Sequence, residues 1–124
     1  MALRRANQSY LTYEVGAALT EFRFVKLTDV DSVEPAGAGD DAIGVVCDAF
    51  AADYAGPVPV TVDGVEFVTA GAAVALGAFV KSDATGRAVT AGTAGDLVSG
   101  RAISAAGAAG DIISVQLFNS IIHA

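Results

Sequence analysis

Only a few side chains in this 124-residue sequence can do chemistry: one His, one Cys, seven Lys and Arg, and fourteen Asp and Glu. A nucleophilic site needs a base within hydrogen-bond reach of the nucleophile, and His123 would have to be that base. It is the next-to-last residue, in a tail expected to fray, which is a poor way to hold a catalytic geometry. Cys47 ends the apolar run Ile43-Gly44-Val45-Val46-Cys47 with no basic neighbour to lower its pKa, so it reads as a small core residue. One His and one Cys cannot build a Cys/His zinc site, and one Cys cannot form an internal disulfide. Asp29, Asp31, Glu34, Asp40 and Asp41 supply enough carboxylates for calcium. The regular Asp-x-Asp-x-Asp-Gly frame is missing, however, and this leaves a solvated acidic loop.

Phosphate and carrier chemistry fare no better. The Lys81-Ser82 pair is preceded by Phe79-Val80 rather than by the glycine loop of a nucleotide-binding turn, and no βαβ unit is present for a dinucleotide. Lys81 stands just before a hairpin turn, a position similar to the swinging-arm lysine of biotinyl and lipoyl carriers. Those carriers place the lysine at the tip, flanked by Met or Asp-Ala, and neither flank matches. The sequence therefore predicts no catalytic residue, no metal ligands and no cofactor, so it is not that of an enzyme.

The elements that would position any site are strands. From residue 20 the dominant hydrophobic period is two. Phe22 and Phe24 alternate with Glu21 and Arg23, and residues 43–47 form a short apolar run suited to a strand buried on both faces. Val58, Val60 and Val62 alternate with Pro59 and Thr61, and Asp63-Gly64 before Val65-Glu66-Phe67-Val68 reads as a hairpin turn. Pro57 and Pro59, which cannot donate to a ladder, place the start of that strand at a sheet edge. A second hairpin joins residues 78–81 to 87–90 through Ser82-Asp83-Ala84-Thr85-Gly86. Leu97–Ser104 and Ile112–Phe118 make the last strand pair. Residues 29–42 read as a loop, and 48–55 and 70–75 as single helical turns at most. The fold class is all-β: a small barrel or sandwich built from hairpins, residues 20–124, preceded by an extended N-terminal arm, residues 1–19.

Composition limits the partners. Leu, Ile, Val and Phe number 35, enough for a packed core, although Ala alone contributes 26 residues. The net charge of −7 argues against a nucleic-acid coat. The most apolar window, 70–80, is too short to span a membrane, and no apolar segment of a secretory signal follows Arg4-Arg5, so a chain made and kept reduced in a cytoplasm is expected. Charge is uneven: residues 1–26 carry four basic and two acidic side chains, and residues 27–124 carry three basic and twelve acidic. Tyr10, Tyr13, Phe22 and Phe24 are four of the nine aromatics. Aromatics and Arg are enriched at the centres of interfaces, so Arg4, Arg5, Tyr10 and Tyr13 are the candidate partner contacts. The same composition suits an arm packed on its own body.

The order of phrases from residue 43 onward carries a resemblance. Ile43-Gly44-Val45-Val46 is followed by Val68-Thr69-Ala70-Gly71-Ala72-Ala73-Val74-Ala75-Leu76-Gly77-Ala78-Phe79-Val80 and Asp83-Ala84-Thr85-Gly86-Arg87-Ala88-Val89. Then come Gly100-Arg101-Ala102-Ile103, Ala109-Gly110-Asp111 and Ile113-Ser114-Val115-Gln116-Leu117. Over residues 43–118 this resembles the small β-rich decoration, or cement, proteins of tailed-bacteriophage capsids. The resemblance implies a non-catalytic structural protein of the virion, bound in many copies to the outer surface of the mature head and stabilising its lattice. The implied partners are the major capsid protein and neighbouring copies of the chain, a trimer being one arrangement, with no nucleic acid and no membrane. The other readings the sequence admits are a tail or fibre β module of a virion and a small carrier or ligand-binding barrel.

Overall fold

The period-two segments form strands, and the glycines between them form turns. The computed structural model describes residues 3 and 5–123, and among these there are nine strands and no helix. They are β1 (Ala6–Val15), β2 (Arg23–Leu27), β3 (Ser32–Pro35), β4 (Gly44–Val46), β5 (Val58–Thr69), β6 (Phe79–Ser82), β7 (Ala88–Thr90), β8 (Leu97–Ala102) and β9 (Ile112–Ile122). They join one sheet in the order β1-β3-β2-β4-β5-β9-β8-β6-β7. A second pairing, β1 with β5, brings the first five positions of that order round into a ring. At the other end a parallel bridge from Ala70 to Ala88 folds β7 back towards the end of β5.

Two cores follow from this layout. Leu19, Val25, Val33, Val46, Val58 and Val60 fill the ring, with Tyr13, Val15, Ile43, Phe50 and Val62 packed against them. Phe24, Val45, Val68, Val74, Val80, Ile113, Val115 and Leu117 lead a larger cluster completed by alanines. Phe24 and Val25 are neighbours on β2, as Val45 and Val46 are on β4, yet each pair divides between the two cores. This is why residues 43–47 read as continuously apolar: β4 is buried on both faces.

The hairpin expected at 83–86 is present. Asp83 Oδ1 accepts from the backbone N–H of Thr85 (2.8 Å) and Arg87 (2.9 Å), and Gly86 takes φ +82°. The final strand pair, β8 with β9, also forms as expected.

Four details differ from the sequence reading. Asp63-Gly64 is not a hairpin turn: β5 runs straight through it for 12 residues. Gly64 instead takes φ +90° at an irregularity where the β1–β5 register shifts, so the positive φ that suits a turn here serves a bulge. Residues 29–42 are not wholly loop, because Ser32–Pro35 form β3, too short for its alternation to stand out among the acids. The stretches 48–55 and 70–75 form no helix: the first holds one hydrogen-bonded turn, Tyr54 N–H to Ala51 O at 3.0 Å, and a bridge at Phe50, and the second holds bends and bridges at Ala70 and Val74. The segment read as an arm is extended, but its residues 6–15 are β1, paired along β5 from Ala6↔Val65 to Tyr13↔Val58. Its alternation is invisible because both its faces are largely open to solvent. Pro59 lies opposite Thr12, and pairing with β4 begins only at Val60, so the start of β5 has a partner on one side alone.

Candidate functional site

The four residues singled out by charge and aromaticity meet different fates. Arg4 lies outside the described residues. Arg5 is turned onto its own body. Its Nε lies 2.6 Å from Glu66 Oε1 and its Nη2 3.0 Å from Oε2, a two-pronged grip on a carboxylate with 0% exposure. Three more donors complete that carboxylate: Gln8 Nε2 (2.7 Å), Thr61 Oγ1 (2.9 Å) and the Phe67 backbone N–H (2.8 Å). The guanidinium also sits 5.3 Å over the Phe67 ring. Burial pushes the Glu66 pKa up, but the hydrogen bonds from Arg5 and its other neighbours outweigh this and hold it below the usual carboxylate value. An ionised carboxylate is thus kept inside the fold by donors from three stretches of chain.

Tyr10 and Tyr13 fall on opposite faces of β1, since residues an odd number apart alternate. Tyr13 packs against the ring core, together with Val15. Tyr10 is half exposed, and so is its neighbour Leu11. Leu11, Tyr13, Ile43 and Val62 border a groove of about 580 Å³, with Asp41 and Asp63 among its walls. Sequence reasoning missed two participants. Glu66 was legible in principle, because two-residue periodicity sets it on the same face as the buried Val68. Leu11 lay in a stretch without alternation and gave no signal.

The residues with reactive side chains are not gathered into a reactive arrangement. Cys47 is half buried rather than a full core residue, with its Sγ 3.6 Å from Arg5 Nη2 and 3.8 Å from Thr61 Oγ1. Burial and the Glu66 carboxylate push its thiol up to about 12. His123 is not in a frayed tail: its N–H donates to Asp96 O and its C=O accepts from the Gly95 N–H, while its ring meets Phe79 edge-on. Lys81 lies within β6, opposite Val89, and its Nζ is paired with Asp96 at 3.0 Å, away from the hairpin tip. In the acidic loop, Asp40 is taken by Lys26 (2.8 Å). No group of three or more His, Cys, Asp or Glu suited to a metal ion occurs among the described residues. No helix among them is long and apolar enough to cross a membrane.

Five of the nine strands close into a ring, and its first strand holds Tyr10 and Leu11 half exposed. The family follows from the sequence match: the model of the phage cement proteins covers residues 5–117, and the chain belongs to that family. Among solved structures, the N base of head fiber gp8.5 in bacteriophage phi29 has a similar fold, with a TM-score of 0.75 and 16% identity over 95% of this chain and 100% of that one. No curated protein matches the chain.

Proposed function

We propose that the chain binds the outer surface of a mature phage head and braces its lattice, without catalysing a reaction. The observation that carries this reading is the family match over residues 5–117, joined to the exposed Tyr10–Leu11 pair on a strand that the body holds rigid. A pre-ordered strand loses little further conformational freedom on docking, which favours binding. The major capsid protein is the primary partner, and Tyr10 and Arg4 are the contacts assigned to it. Tyr13 and Arg5 act from behind by fixing the strand. Neighbouring copies, in a trimer or another symmetric ring, are the second partner. Many modest contacts then suffice, because each copy that touches two shell subunits makes its second contact at high effective concentration. The protein is made in the host cytoplasm and resides on the virion exterior, contacting neither nucleic acid nor membrane.

The test is co-sedimentation with undecorated, expanded heads of the matched phage, comparing the natural chain with Tyr10→Ala. Saturable pelleting of the natural chain, weakened about tenfold or more by the substitution, is the expected result for loss of one central aromatic anchor. Failure of the natural chain to pellet removes the head-binding reading. A second reading has a specific observation behind it: the similar phi29 structure is the base of a head fiber. In that case the chain is a fibre base, and electron microscopy of labelled particles shows it at sparse sites with a projecting partner rather than across the whole shell.

A further inference from the structure

We infer that the groove between β1 and the 41–43 segment receives a lysine or arginine side chain of the shell subunit. The inference rests on the head-binding reading and names the chemistry of that contact. Leu11 and Val60 are register partners on β1 and β5, and Val62 and Ile43 continue the same inner face, which no further element among the described residues covers. The floor is therefore an outcrop of the ring core, with Leu11 51% exposed. The walls carry Asp41 and Asp63, both exposed, and neither has an ion-pair partner among the described residues. The adjacent Asp40, by contrast, is neutralised by Lys26 at 2.8 Å.

An apolar floor flanked by two unpaired carboxylates matches one kind of side chain. Lys and Arg lay an apolar stem along hydrophobic surface while the cationic head stays at the rim. An acidic side chain is repelled there, and a purely apolar one leaves both carboxylates partly desolvated without a partner. The acidic excess of residues 27–124 adds a longer-range field of the same sign, which speeds encounter with a basic site.

The experiment uses the full chain and expanded heads of the matched phage. Asp41→Asn/Asp63→Asn is compared with the natural chain in saturation binding at several salt concentrations, with thermal unfolding of both as the control for folding. The expected result is an unchanged unfolding midpoint, binding weaker by about tenfold or more, and a shallower salt dependence. Zero-length carbodiimide coupling on the natural complex, followed by peptide mass spectrometry, locates the partner when it is a lysine. The carboxyl of Asp41 or Asp63 then forms an amide with a shell ε-amine, and the carbodiimide takes up the elements of water and leaves as its urea. Equal binding and equal salt dependence for the two proteins overturn the inference while leaving the head-binding reading intact. So do couplings that join Asp41 or Asp63 to another copy of this chain instead of the shell. If the natural chain does not pellet at all, the head-binding reading fails and the inference falls with it.

Discussion

Glu66 is a charged group at a position that the strand pattern reserves for an apolar one, and its partners come from distant sequence. Arg5 is 61 residues away, so the ion pair fastens the beginning of β1 to the second half of β5. Breaking a buried pair from one side leaves an uncompensated charge. Because Arg5 is itself part exposed and three other donors remain on Glu66, the effect should be moderate. Arg5→Ala should lower stability by about 2 kcal/mol, the range of a hydrogen bond to a charged group, measured by urea unfolding at neutral pH. The sign of the pH effect follows from the lowered Glu66 pKa. Its stabilisation is fully present above the ordinary carboxyl value of 4.5 and is lost as pH falls through the lower native value. Asp83, Asp40 and Asp96 are lowered too and act in the same direction. In Arg5→Ala the native Glu66 pKa moves back towards the ordinary value, so the part of the acid-dependent loss of stability owed to Glu66 should shrink, and an unchanged dependence of unfolding free energy on pH would count against the clip. Cys47 gives a second prediction. With its thiol pushed up to about 12, the native protein should react with iodoacetamide at pH 8 far more slowly than the urea-unfolded chain.

At the scale of elements, β1 and β5 form the ribbon that closes the ring, and Gly64 sits where the register of that ribbon shifts. A Cβ there would stand 2.3 Å from the Asn7 carbonyl oxygen, with φ at +90°. Gly64→Ala thus combines a backbone clash with an unfavourable φ and should cost about 2–3 kcal/mol. Amide exchange should quicken in residues 6–13 before it does in β8 or β9. Tyr10→Ala, on the same strand but outward-facing, should leave the unfolding midpoint within about 0.5 kcal/mol of the natural chain. That contrast separates residues that hold the strand from those it displays. The local signals at these elements were uneven. The Asp83–Gly86 turn was readable because its side-chain and glycine chemistry is contained within five residues. Asp63-Gly64 carries the same chemistry, but the choice between turn and bulge depends on whether β1 lies alongside, which the dipeptide does not encode.

At the scale of the molecule, residues 6–15 are a strand of the ring, and Leu19 belongs to its core. Deleting residues 1–19 removes β1, and with it the strand that joins β3 to β5. The truncated chain should lose its cooperative thermal transition and bind a hydrophobic dye, whereas an arm lying loose on the surface would leave the transition unchanged. Contacts with the head are therefore better probed by single outward-facing substitutions than by truncation. Period two, the glycine turns and the order of phrases after residue 43 were enough to determine an all-β body, its hairpin at 83–86, its last strand pair and its kinship with cement proteins. These depend on neighbours in the chain, and a sequence states them directly. The closure of the ring, the burial of Glu66 under Arg5 and the groove beside Leu11 were decided only by tertiary structure. Alternation records which face of a strand is apolar, but not which strand pairs with it, and on a strand open on both faces, such as β1, even that record is blank.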